Sequence, residues 1–216
     1  MEANVYPLRA IPGRSQDGNH CLRCGSEIET IDHVLGACPF GEKNTRHHNI
    51  RSLIATALRE RDFTVYEEVH GVSLEGSYRR IDMAASPASS TEGYIIDPTI
   101  RTESYEDQPR DVHEEKCNIY VPTIPFYKDK YNLTSIEVIG LMVGARGTIP
   151  HLFVSFCRKF DLPSDLLMAV VIAVVKGSLK ILNHHLPMCH ISKFTLFCFI
   201  YLFIHKVTIL KIRSPY

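Results

Sequence analysis

Four residues that bind soft metals well crowd into one short stretch: Cys21, Cys24, His33 and Cys38, spaced C-x2-C-x8-H-x4-C. Two cysteines three apart can grip one ion from a single tight turn, and Gly25 directly after them eases that turn. His33 and Cys38, five apart, can supply the other two ligands from the next segment. Three thiolates and one imidazole complete a closed tetrahedral Zn2+ site, structural rather than catalytic. A segment this small has little core of its own, so metal binding would supply much of its folding free energy. The plainer alternative is four unrelated residues in a cysteine-containing loop. Cys117, Cys157, Cys189 and Cys198 have no such company and read as buried thiols.

A second group lies further along. Asp82 sits in YRRIDMAA and Asp97 in GYIIDPTI, each inside an otherwise apolar run. An aspartate there is costly to bury unless it is paired or bound to a cation. Two of them on neighbouring strands would make an oxygen-rich site for Mg2+, a hard ion that can activate water for phosphodiester hydrolysis. Lys116 follows in a helical stretch, where its ammonium could face the same phosphate or orient the attacking water. Spacing alone leaves the bland reading open: an Asp at a strand end is often a turn or cap residue, and a helical lysine is usually solvated.

These residues need elements to position them. Residues 1–18 read as linker, punctuated by Pro7, Pro12, Gly13 and Gly18. Between Arg46 and Arg61 the apolar positions Ile50, Leu53, Ile54, Ala57 and Leu58 fall at helical spacing, with Asn44 or Thr45 as N-cap. The period then changes: 63–70, 78–85 and 93–100 are short, rich in β-branched and aromatic residues, and separated by turn formers. Residues 109–121 read as a helix, 135–145 as a buried strand, and 149–160 and 163–183 as two more helices, with Pro163 at a first helical position. The sum is a mixed α/β domain.

Bulk properties bound the reading. At 216 residues and 45% hydrophobic content, the chain can bury one ordinary core with a small appended module. Zero net charge excludes a uniformly basic nucleic-acid coat. The charge is uneven: residues 62–140 hold seven Lys/Arg against fifteen acids, and residues 151–216 hold eight against two. An acidic middle between more basic flanks suits a metal site beside polyanion-binding surfaces. No signal peptide is read at the N-terminus, so clustered cysteines are expected to be metal ligands in a reducing, intracellular compartment. Phe194–Ile204 is a run of eleven nearly all apolar residues, shorter than the ~20 needed to cross a bilayer. Its extension would bring Lys206 and Lys211 inside a span, so a membrane partner is disfavoured and 187–216 reads as a divergent tail.

Read in order, CLRCGSEIETIDHVLGACP, TRHHNIRSLIATAL, RRIDMAA, IIDPTIRTE, EKCNIY and YNLTSIEVIGLMVGARGTIP resemble the C-terminal region of site-specific non-LTR retrotransposon polyproteins. The likeness runs from about Glu2 to about Leu186. It implies a CCHC zinc knuckle (20–39) followed by a restriction-endonuclease-like domain (44–186), a mixed sheet flanked by helices. In that family the endonuclease nicks chromosomal DNA, and the exposed 3′ end primes reverse transcription of the element RNA. The resemblance maps the knuckle ligands onto Cys21, Cys24, His33 and Cys38, the two catalytic aspartates onto Asp82 and Asp97, and the displaced catalytic lysine onto Lys116. It maps an Arg-His-Asn signature onto Arg46 and His48, implying positions near the DNA or the knuckle. Implied partners are target DNA, element RNA and a reverse-transcriptase domain, in the nucleus. The rival reading is a knuckle-bearing nucleic-acid-binding remnant that has lost cleavage.

There are departures. Ile81 stands where the family has a proline, and Thr99 occupies the place where many restriction-like nucleases carry the lysine. GEKNTRHH is a shortened link between knuckle and helix, and no Y-x-D-D polymerase core occurs in the chain. His184 and His185 are expected simply to face the helix dipole at a C-terminus. Glu67 and Glu68 are expected at an exposed strand edge.

Overall fold

The computed structural model describes residues 19–39 and 43–185. The tail read at 187–216 and the linker read at 1–18 lie outside them. The expected strands are β1 (Phe63–Val72), β2 (Tyr78–Pro87) and β3 (Glu92–Arg101), from the period-2 stretches, and β4 (Ser135–Gly144), from the buried apolar run. They form one sheet in the order β1-β2-β3-β4, antiparallel except for the parallel β3–β4 pair. A parallel neighbour demands a crossover. Here α2 (Gln108–Tyr120) and α3 (Ile124–Tyr131) supply it. The protein is therefore α/β, a four-stranded mixed sheet flanked by helices.

Each face of the sheet has its own core. On one, Val65, Met83, Ala85, Ile96, Leu141 and Val143 pack against α1 (Lys43–Arg59), α4 (His151–Lys159) and α5 (Leu166–His185). On the other, Ile81, Ala84, Ile95 and Val138 meet Tyr120 and Tyr127 of the crossover helices. The helix α1 forms because Ile50, Ile54, Ala57 and Leu58 recur on one face, and all four are buried. It begins at Lys43, so Asn44 and Thr45 lie in its first turn instead of capping it. The sequence reading missed α3, where Pro122 and Pro125 look like breakers; Pro125 stands in the first turn, where its missing N–H costs nothing.

The buried stripe of α5 is Leu166, Val170, Val174, Ser178, Ile181 and His185. Its first three positions join the large core. Ser178 and His185 are polar and fully enclosed, which requires partners. By length and composition α5 could cross a membrane, yet this stripe ties it to α1 and the sheet, and Met168 and Ile172 are exposed on its other side.

Sheet pairing is interrupted along one row. β1 and β2 pair Glu67 with Met83 and Val69 with Ile81, but Glu68 and Asp82 between them do not pair. Glu68 has φ 52, a conformation that a residue with a Cβ adopts only at a cost. The consequence is visible in the pleat: Val65 faces one core and Val69 the other, although strict alternation would put them together. The β2–β3 ladder covers only three pairs, from Ala85–Tyr94 to Met83–Ile96. Asp82 and Asp97 sit one residue beyond its end, where the strands part.

Candidate active site and metal centre

The parting of β2 from β3 leaves one edge of β3 without a strand partner at Asp97 and beyond. Pro98 has no N–H to offer, so it fits such an edge. Its carbonyl instead accepts a hydrogen bond from His47 Nε2 of α1 at 2.9 Å. A cleft of about 700 Å3 opens here, lined by His47, Asp82, Asp97, Thr99, Lys116 and Tyr120 among others.

Asp97 is 3% exposed, and three donors compensate the loss of water. Thr99 donates to Oδ1 at 2.9 Å, Lys116 Nζ lies 3.1 Å from the same oxygen, and Tyr120 donates to Oδ2 at 2.7 Å. Burial and the charge of Asp97 push the Tyr120 phenol far up, so it stays a donor. Asp82 Oδ2 takes a bond from His47 Nε2 at 2.9 Å. Because Asp82 and the Pro98 carbonyl are both acceptors, Nε2 must carry the hydrogen. Burial alone would depress His47, but the Asp82 bond and the charges of Asp82 and Asp97 outweigh it and raise its pKa.

Lys116 reaches Asp97 because α2 lies unusually close to β4. Asp97 pairs with Gly140 across the parallel ladder. A Cβ on Gly140 would stand 2.9 Å from His113 Cα and from Lys116 Cβ and Cγ. No larger residue leaves room for the helix there. Asp97 and Gly140 thus lie side by side on β3 and β4, with Lys116 seated on the glycine.

The sequence-derived Asp82, Asp97 and Lys116 therefore meet in one cleft. His47, Tyr120 and Gly140 went unremarked. His47 was overshadowed by its neighbours Arg46 and His48, and the helical offset between them is the missed signal. Residues 47, 50, 51 and 54 lie toward the protein, and 48, 49 and 52 do not. His48 is exposed and lies 3.4 Å from Glu68. Arg46, assigned from the resemblance to nucleic acid, is 3% exposed and its guanidinium is directed inward. It donates to the Leu35 carbonyl at 2.8 Å and to Ser178 Oγ at 2.7 Å, joining the Cys/His segment to α5. Burial pulls its pKa down to about 10, which leaves it cationic at neutral pH. Glu67 and Glu68 do not form a bare edge either: Arg51 pairs with both, Arg59 with Glu67 and Arg80 with Glu68.

The second site is built locally. Gly25 adopts φ 69 and closes the turn, with its N–H on the Cys21 carbonyl at 2.8 Å. A π-helical turn over His33–Ala37 returns His33 and Cys38 to the two cysteines. All four donor atoms lie within 4.8 Å of one another. Cys21 and Cys38 sulfurs are 3.9 Å apart, and Cys24 Sγ is 3.3 Å from His33 Nε2. A tetrahedron with Zn–S near ~2.3 Å puts its sulfurs ~3.8 Å apart, so the donor set fits that ion. Hydrogen bonds from Ser26 pull the Cys24 thiol down to about 6, toward the thiolate that a metal requires. This group could hold a metal ion such as zinc. The segment does not stand alone, since Val34 and Leu35 share a small core with Ala145 and Ile181. Asp32, Gly36 and Ala37 of the same segment line the cleft.

No protein-family model matches this sequence. Over 152 residues, 68% of the chain, it is 25% identical to the retrovirus-related Pol polyprotein from type-1 retrotransposable element R2 of Popillia japonica. The chain is thus a distant homologue of a retrotransposon Pol polyprotein, and the match spans 31% of that protein's length.

Proposed function

We propose that this chain is the endonuclease portion of a retrotransposon polyprotein, with a restriction-endonuclease-like fold, a CCHC zinc site and a Mg2+-dependent site that cleaves DNA. The observation that carries the reading is the meeting of Asp82, Asp97 and Lys116 in one cleft, where the two strands bearing the aspartates separate. The distant polyprotein homology supports the nucleic-acid side of it.

Two carboxylates from neighbouring strands are hard oxygen donors suited to Mg2+. When bound, that ion lowers the pKa of water and neutralises charge on the phosphate. The protein's own residues set the geometry. Tyr120 and Thr99 fix the Asp97 carboxylate, and His47 fixes that of Asp82. Lys116 presents a cation at the same place, where it can stabilise charge developing on the scissile phosphate. His48, exposed on α1, is available to nucleic acid, while Arg46 positions the wall of the cleft. Target DNA, element RNA and the polymerase supplied elsewhere in such a polyprotein are the partners this reading requires.

The test is nicking of supercoiled plasmid by the full chain, with and without Mg2+. Nicking that needs the metal and disappears in Asp97→Ala is the expected result. A folded protein that binds DNA in a salt-dependent way without nicking would make the chain a binding remnant instead.

A further inference from the structure

His185, the last residue of α5, is 4% exposed and sits against the metal centre. Its Nε2 lies 3.6 Å from Cys21 Sγ and 3.1 Å from Glu29 Oε2. Glu29 is completely enclosed, and its Oε2 also accepts the Leu22 N–H at 2.8 Å. Arg23 donates to the His184 carbonyl one residue earlier. Cys21, Glu29 and His185 are separated by up to 164 residues, yet their donor atoms all lie within 4.8 Å of one another.

The chemistry of this contact is directional. A Glu29 carboxylate oxygen and a metal-bound Cys21 thiolate can only accept, so His185 must carry a hydrogen on Nε2 and share it between them. A buried thiolate gains from such a donor, because the bond delocalises its charge and fixes the sulfur in place.

We infer that His185 is a positioning residue of the metal centre, the hydrogen-bond donor to metal-bound Cys21, held in place by Glu29. The inference rests on the zinc reading above. It makes the N-terminal metal segment and the C-terminal end of α5 one unit. Through Arg46, which bonds both Leu35 and Ser178, that unit extends to the cleft wall formed by Asp32, Gly36 and Ala37.

The experiment measures zinc stoichiometry and affinity of the full chain by competition with a chromophoric chelator, alongside melting with and without zinc. His185→Ala is expected to hold one zinc with about 10–100-fold lower affinity. His185→Gln, whose amide N–H can reach the same sulfur, is expected to recover most of that loss. The thiolate-to-metal charge-transfer band of the Co2+-substituted protein should shift in His185→Ala and return toward the wild type in His185→Gln. Wild-type melting should rise with zinc as one transition. Unchanged affinity and band in His185→Ala would reduce the residue to packing and overturn the inference, as would two zinc ions per chain falling to one, which would make His185 a ligand. A wild-type chain that binds no zinc would instead sink the zinc reading on which this rests.

Discussion

The two sites differ in how their ligands are brought together. At the Cys/His centre, four donors fall within eighteen residues, and one glycine turn and one short helical turn suffice to gather them. At the carboxylate centre, Asp82, Asp97 and Lys116 come from two strands and a helix, with His47 arriving from a third direction on α1. The first geometry is set by local turns plus a metal. The second depends on a break in sheet pairing and on the close approach of a helix to β4, both properties of the whole domain. The locally built ligand set should survive distant change, with a distant contact such as His185 only tuning its affinity, whereas the assembled one should fail whenever any supporting element moves.

The largest effects should come from removing one member of each site. Asp97→Ala is expected to lower Mg2+-dependent nicking by about 10³-fold while leaving zinc content, measured by metal analysis, unchanged. Cys24→Ser should do the reverse first, losing zinc, and lower nicking only through the cleft wall; equal loss of zinc in both variants would erase the distinction. Next comes Gly140→Ala. Pushing α2 outward should misplace Lys116 and cost nicking on the order of 10²-fold, with zinc affinity intact. In a Lys116→Ala background the same substitution should cost far less, because the two act through one group. Additive losses would show that Gly140 matters for another reason.

Tyr120→Phe tests the support beneath the assembled site at lower cost. It strips one donor from a buried carboxylate, so thermal or denaturant unfolding should show a loss of about 1–3 kcal/mol. No change in stability would mean that water replaces the phenol. The smallest effect belongs to Glu68 beside Asp82. Its bond and ion pair with Arg51 hold its carboxyl below the usual range. A depressed folded pKa contributes stability above the unfolded value of about 4.5 and loses it as pH falls through the folded one. Melting of Glu68→Gln should therefore fall less between pH 7 and pH 4 than that of the wild type, and parallel pH profiles would refute the pairing.

Much of this was legible in the residues. The strands appear within two residues of where alternation places them, and the metal cluster has the ligands its spacing names, since both follow from local periodicity and turn chemistry. Local reasoning gave neither Arg46 nor His185 its partners. Each is buried against partners its own segment does not reveal, Ser178 and Leu35 for one and Glu29 and Cys21 for the other, and all but Leu35 lie more than 130 residues away. The polar positions in the buried stripe of α5 were the available signal, and it points to no partner by itself.

By itself the sequence determined which residues can bind metal, where strands and most helices form, and that an α/β core is affordable in entropy, because these depend on side-chain type and short-range period. Only the tertiary structure decided that β2 leaves β3 at the aspartates, that Gly140 admits α2 close enough for Lys116 to reach Asp97, and that α5 closes on the metal centre. Those outcomes are set by packing between elements distant along the chain, and no residue's local preference encodes them.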